Sequence, residues 1–110
     1  MTWDRELADR LRAALSTEPD VTEKVMFGSQ AFLVGGHLAI AASGKGGLMV
    51  RCDPARSEEL TVVDGVERMV MRGREMDGWL RVTAEVVDDE EPLRRWVATG
   101  RDAARSQPPR

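Results

Sequence analysis

The chain has 110 residues, of which 42% are hydrophobic and 32% are charged, and its net charge is −3. This length predicts one compact domain whose core needs no metal or disulfide for stability. Its only cysteine is Cys52 and its only histidine is His37, which excludes an internal disulfide, a cysteine and histidine zinc cluster and a redox cysteine pair. We therefore expect neither a metal nor a cofactor.

The distribution of charge and hydropathy narrows the class of protein. No apolar stretch approaches the roughly 20 residues that cross a bilayer, and the N-terminus opens with the charged run Asp4-Arg5-Glu6. We expect a soluble, cytoplasmic protein without membrane contact. The acidic excess lies within residues 1–23, and no segment is strongly basic. Because duplex-binding proteins carry a cationic stripe, nucleic acid is not expected as a tight direct ligand.

The first segment has the apolar spacing of an amphipathic helix. This spacing predicts a helix from Trp3 to Leu15, with Thr2 as its N-terminal cap and an end before Pro19. The acidic side chains of the first turn favour the same N-terminus.

From Val21 the hydrophobic period changes to the alternation of β-strands. We interpret Gly28-Ser29 as a bulge inside one bent strand, in preference to a break between two short strands. Gly35-Gly36 and residues 44–47 predict tight turns, and Leu48 to Cys52 forms the last strand of a three-stranded antiparallel meander.

The second half of the chain is predicted to form a short helix, a β-hairpin and a last helix. Asp53-Pro54 predicts a short helix up to Leu60. Strands are predicted at Glu67–Arg72 and Trp79–Thr83, joined by the loop Gly73–Gly78. The acidic run 88–91 predicts the start of a last helix, whose buried stripe is Leu93, Trp96, Val97, Gly100 and Ala104.

The predicted order is α-β-β-β-α-β-β-α. It indicates a two-layer α+β domain in which helices cover one face of a five-stranded antiparallel sheet. We assign residues 1–105 to this single domain and residues 106–110 to a flexible tail.

The chemical motifs favour structural explanations. The Gly44–Gly47 run lacks the P-loop spacing and precedes a strand, so we interpret it as a hairpin turn. His37 has no partner for a metal site or a catalytic relay, and Cys52 ends an apolar strand as a core residue. The run 88–91 lacks calcium-loop spacing. We expect no catalytic residues, and therefore no enzyme.

The alternation of two strands predicts which side chains leave the core. If Leu48 and Val50 face the helices, their neighbours point away, and the same holds for the neighbours of Leu80 and Val82. Methionine, tryptophan and arginine are enriched in protein interfaces, whereas scattered apolar residues are also normal on a sheet face. The predicted interaction surface consists of Met26, Met49, Arg51, Trp79 and Arg81.

Several segments together resemble the TfoX/Sxy N-terminal-domain family. They run from Val21–Gly28 through Ala31–Gly36 to Leu48–Arg51, and continue with Gly73–Trp79 and the last helix. The resemblance covers nearly the whole chain, and it lies in the order and spacing of these segments. The family commonly has Gly-Gly where this chain has Gly28-Ser29.

The resemblance implies a fold of one helix, three strands, a helix, two strands and a helix, similar to secretion chaperones that bind protein partners. Named members are regulators of natural competence genes and carry a second domain, so we expect this chain to be a stand-alone single-domain member. It predicts a non-enzymatic regulatory or adaptor module, linked to transcription, that binds a protein partner or forms a homodimer. The alternative is weak nucleic-acid binding through Lys24, Arg51, Arg68, Arg72 and Arg81.

Overall fold

In the part of the chain that the structure describes, a six-stranded antiparallel sheet forms the centre and three helices pack against one of its faces. The computed structural model describes residues 3–26 and 28–107. The helices are α1 (Arg5–Ala14), α2 (Ser57–Leu60) and α3 (Glu90–Arg105). The strands are β1 (Val21–Met26), β2 (Ser29–Val34), β3 (His37–Ala42), β4 (Leu48–Arg51), β5 (Val66–Met71) and β6 (Arg74–Val82). Their order across the sheet is β1-β2-β3-β4-β6-β5.

The prediction of five strands is wrong, because the proposed bent strand is a hairpin. β1 and β2 pair in antiparallel register from Val21 opposite Val34 to Met26 opposite Ser29. Gly28, between the two strands, adopts a φ of 74°, a conformation that glycine supplies in turns and that a continuous strand does not use. The Gly44 backbone N–H donates to the Ser29 hydroxyl at 3.1 Å and joins this turn to the β3–β4 turn.

The first helix is slightly shorter than predicted. Its cap is Asp4, whose carboxylate accepts a hydrogen bond from the backbone N–H of Leu7 at 3.2 Å. The predicted cap, Thr2, lies outside the described residues. Trp3 packs against the core from just before this cap.

The second predicted hairpin is confirmed, although its turn is shorter than expected. β5 and β6 meet at Arg72 and Gly73, both with positive φ angles of 53° and 78°, so most of the predicted loop belongs to β6. Positive φ at both central positions is typical of the two-residue turns that match strand twist.

The remaining turn and helix predictions agree with the structure. Gly35 and Gly36 connect β2 to β3 with φ angles of 61° and 86°, and residues 44–47 form the β3–β4 turn. Asp53 caps a 3₁₀ turn, Pro54–Arg56, that runs into α2. A second 3₁₀ turn, Ala84–Val87, was not predicted. α3 ends at Ser106, and residues 108–110 of the predicted tail lie outside the described residues.

The core lies between the sheet and the helices. Phe32, Ile40, Val50 and Leu80 are adjacent in the strand register and fully buried. They pack with Leu93 and other apolar residues of α1 and α3 in one cluster. Burial of large apolar side chains is the main stabilising contribution to a fold of this size.

Two arginines connect α1 and α3 to the first hairpin and to the loop before it. Arg12 forms a bidentate ion pair with Glu23 at 2.7 Å, and Arg105 donates to both carboxylate oxygens of Asp20 at 2.9 Å. These donated hydrogen bonds hold the pKa of the Glu23 and Asp20 carboxyls below their usual range.

Helix α3 approaches strand β3 closely at Gly100. A Cβ atom at this position would lie 2.5 Å from the carbonyl oxygen of Ala39. Helix propensity alone predicts that Gly100→Ala stabilises the protein by about 1 kcal/mol. We expect instead a loss of about 1–3 kcal/mol, because α3 must move away from β3.

Urea unfolding of Gly100→Ala tests this contact. Ala98→Gly in the same helix serves as the control, with an expected cost of about 1 kcal/mol from propensity alone. A Gly100→Ala variant more stable than the wild type would show that the helix tolerates the extra methyl group.

The ion pairs of Arg12 with Glu23 and of Arg105 with Asp20 predict a specific pH dependence of the free energy of unfolding. A carboxyl whose pKa is lowered by folding adds stability above its unfolded pKa of about 4, and this contribution is lost as the pH falls toward the folded pKa. Arg105→Gln should therefore flatten the decline in unfolding free energy between about pH 5 and pH 3.

Urea unfolding across this pH range measures the effect. Arg94→Gln, which removes an exposed ion pair with Glu90 within α3, should keep the wild-type slope. An unchanged slope in Arg105→Gln would contradict the assignment to Asp20.

Candidate functional site

The register of β4 and β6 divides their side chains between two faces of the sheet. Val50 lies opposite Leu80, and both are fully buried toward the helices. Met49 lies opposite Arg81, and Arg51 lies opposite Trp79. Because cross-strand partners share a face, these four half-buried residues lie on the face without helices.

A bulge in β6 brings the β5–β6 hairpin onto the same face. Arg68 lies opposite Leu80, but the next residue, Met69, lies opposite Met76. Three residues of β6, Asp77 to Trp79, therefore have no separate partner on β5. Extra residues in one strand bend it and increase its twist.

The two edges of the sheet enclose an open groove on this face. Met26 of β1, Met49 of β4 and three methionines of the β5–β6 hairpin line it, and its volume is about 760 Å³. We call this surface the methionine groove and define it by Met26, Met49, Met69, Met71, Met76 and Trp79. All the methionines within the described residues line this groove.

Small residues form the sheet beneath the methionine groove. Ala31 and Ala41 are paired with each other and fully buried, although they are not part of the core cluster on the helix side. Ala41 also lies opposite Met49. Longer side chains on the same face therefore cover these alanines.

Trp79 is held in the methionine groove by a cation–π contact. The guanidinium carbon of Arg51 lies 4.5 Å from the centre of the Trp79 ring. The Arg51 Nε group also donates a hydrogen bond of 2.7 Å to the Leu38 carbonyl, and burial lowers the pKa of this arginine. Arg51 thus restricts the orientation of the ring.

Ser57 supports the bulge from the core side and was not singled out by the sequence. Its fully buried hydroxyl accepts a hydrogen bond of 2.8 Å from the Gly78 N–H, and the Gly78 carbonyl accepts one of 2.9 Å from Cys52 N–H. Gly78 has a φ of 89°, so its carbonyl and N–H reach partners that a regular strand would not. A serine in the first turn of a short helix carries no sequence signal for this role.

The structure unites the residues predicted as an interaction surface. Met26, Met49, Trp79 and Arg81 line the groove, and Arg51 stacks on its tryptophan. The three remaining methionines were not included in that prediction. Alternation along β5 places Met69 and Met71 on the same face as Glu67, whereas Met76 of β6 reaches this face, opposite Met69, through the bulge.

One cation of the alternative prediction lies elsewhere. Arg68 lies on the same face of the sheet as Leu80, which is the helix side. Its guanidinium group lies 3.2 Å from the Asp77 carboxylate and 3.6 Å from the Glu75 carboxylate. The strand register and the groove lining place the other four cations on or beside the groove face: Lys24, Arg51, Arg72 and Arg81. The proposed cationic surface is therefore smaller than the sequence suggested.

Cys52 has the environment of a core residue, as predicted. It is 2% exposed, belongs to the core cluster and lies 3.7 Å from the Ser57 hydroxyl. Burial raises the pKa of its thiol, which disfavours the reactive thiolate. Across residues 3–26 and 28–107, no group of three or more histidine, cysteine, aspartate and glutamate side chains is arranged to hold a metal ion.

Fold and site together define a small α+β domain with an apolar, methionine-lined groove on its uncovered sheet face. The chain belongs to the TfoX N-terminal domain family, whose sequence model matches residues 13–104. Comparison of the chain with curated proteins and with solved structures finds no match in either set. None of the helices in the described ranges is long and apolar enough to span a membrane.

The hydrogen bond to Ser57 predicts a measurable stability effect. Ser57→Ala leaves the buried Gly78 N–H without a partner, which should cost about 1–3 kcal/mol. Thr99→Ala, which removes a hydroxyl that donates to Arg95 O on the surface of α3, should change stability by less than about 0.5 kcal/mol. Urea unfolding of both variants tests this, and equal small effects would exclude a supporting role for Ser57.

Proposed function

We propose that this chain is a non-enzymatic regulatory module of the TfoX type that binds another protein through the methionine groove. Its role is linked to transcription or competence control. The observation that carries the proposal is the convergence of five methionines and Trp79 on one sheet face that no helix covers. Membership of the family supports the regulatory part of the proposal.

The side-chain chemistry of the groove suits a protein ligand. Methionine is unbranched and polarizable, so a methionine surface adapts to apolar partners of different shapes. Trp79 adds a large ring whose position is restricted by Arg51. Tryptophan at the centre of an interface commonly contributes a large share of the binding free energy.

The groove chemistry also supports a binding role over catalysis. Its described lining offers thioethers, an indole, hydroxyls and cationic groups, without a carboxylate, an imidazole or a thiol. Acid–base catalysis at neutral pH generally uses a positioned imidazole or carboxylate. The family membership indicates no activity that would require one.

Trp79→Ala should weaken association with the partner protein by about 2 kcal/mol, roughly thirtyfold in Kd, and leave the fold intact. The partner is first identified as a protein that co-purifies with the wild-type chain from its native cell. Isothermal titration of the purified pair then measures Kd, and thermal melts check that the variant is folded.

Val62→Ala is the matched control, because Val62 is an apolar side chain that is 79% exposed and does not line the groove. It should bind like the wild type. Equal affinity of wild type and Trp79→Ala would refute the proposal, and a Trp79→Ala variant that unfolds would assign the ring to the core.

Nucleic-acid binding is the second candidate function, since Lys24, Arg51, Arg72 and Arg81 share or border one face and form no ion pair within the described residues. With a net charge of −3, we expect only weak, sequence-independent binding at physiological salt, with a Kd of about 0.1 mM or weaker. Fluorescence anisotropy with a duplex and a scrambled control measures it. Nanomolar, sequence-selective binding would make this the preferred function.

A further inference from the structure

Cationic side chains that line the methionine groove have no ionic partners. The groove lining includes Lys45, Arg72 and Arg81, and none of them forms an ion pair in the part of the chain that the structure describes. Every ion pair there joins residues outside the lining, chiefly on the helices and the helix side of the sheet. The cations beside the groove are therefore available to an external anion.

The surrounding face has the same sign of charge. Lys24 lies opposite Ala31, and Arg74 lies opposite Met71, so both belong to the groove face. Glu67, opposite Arg81, is the one carboxylate that the register of the described strands places there. A chain with a net charge of −3 thus has a positively charged groove face.

We propose that the methionine groove binds a peptide segment of a partner protein in which large apolar side chains stand next to carboxylates. The inference rests on the proposed function and specifies its ligand. The apolar side chains would replace water along the five thioethers and Trp79, and the carboxylates would pair with Lys45, Arg72 and Arg81. Complementary charge speeds association and rejects partners of the wrong sign.

A second copy of this chain fits the groove face poorly. A symmetric dimer places the same patch on both sides of the interface. Arg72 and Arg81 of one copy would then meet the cations of the other, with only Glu67 to compensate. Like charges brought together in this way oppose association.

Nucleic acid fits the charges of the groove but not its apolar surface. Proteins that bind single strands stack successive bases on aromatic rings. Trp79 is the only aromatic side chain in the described lining, whereas five methionines line the same surface. The groove therefore matches the apolar side chains of a peptide better than a series of bases.

Three short fluorescein-labelled peptides test the inference against the full chain by fluorescence anisotropy. The first combines leucine and phenylalanine with glutamate, the second has lysine in place of glutamate, and the third keeps glutamate but has serine in place of the apolar residues. The protein variants are Trp79→Ala and the double variant Arg72→Glu/Arg81→Glu. Arg94→Glu is the control, because Arg94 is an exposed cation on α3.

The first peptide should bind the wild type at least about tenfold more tightly than either other peptide, with an affinity that falls as salt rises. The double variant should prefer the lysine peptide. Trp79→Ala should weaken binding of the first peptide, and Arg94→Glu should leave all affinities unchanged.

Different failures overturn different statements. If the glutamate and lysine peptides bind equally well, and Trp79→Ala abolishes the binding of both, then the inference that the ligand is acidic is wrong. The proposed function is not affected by this result. No binding of any apolar peptide overturns both. Two further results would also overturn the inference. One is a single-stranded oligonucleotide that binds more tightly than the first peptide at physiological salt. The other is a wild-type dimer, seen in sedimentation equilibrium, that Trp79→Ala dissociates.

Discussion

The antiparallel register between β4 and β6 is the constraint on which both faces of the domain depend. Val50 opposite Leu80 places one pair in the core, and Arg51 opposite Trp79 places the next pair in the groove. Because side chains alternate along a strand, a shift of one residue would exchange these sets and bury an arginine among apolar helices. The stability of the core therefore also determines which residues form the binding surface.

The groove lies between the two hairpins at the edges of the sheet. The β1–β2 hairpin forms one edge, and the bulge in β6 bends the β5–β6 hairpin at the other. Ser57 and Gly78 maintain that bulge through buried hydrogen bonds from the helix side. The core thus positions Trp79 through a few specific contacts, while the methionines of the groove lie outside the core cluster on the helix side.

The two faces also divide the charges of the chain. Arginines on the helix side form ion pairs with carboxylates, such as Arg12 with Glu23 and Arg105 with Asp20. Arg72 and Arg81 beside the groove form no ion pair within the described residues. An apolar surface with adjacent free cations suits a ligand that supplies both apolar side chains and anions, so one surface accounts for both proposals. The membership of the TfoX N-terminal domain family agrees with a regulatory role of this kind.

Local patterns in the sequence determined most of the secondary structure and the division of β4 and β6 into two faces. Gly35-Gly36 and Asp53-Pro54 have local chemistry that admits one structure. Gly28-Ser29 does not, because a glycine within an alternating pattern suits a bulge and a hairpin equally, and only pairing across the sheet selected the hairpin. Part of the groove is similar: Met49, Trp79, Met69 and Met71 follow from alternation along their strands, whereas Met76 reaches the groove through a bulge in β6 supported by Ser57. Contacts between residues distant in sequence decided these features, and no local periodicity records such contacts.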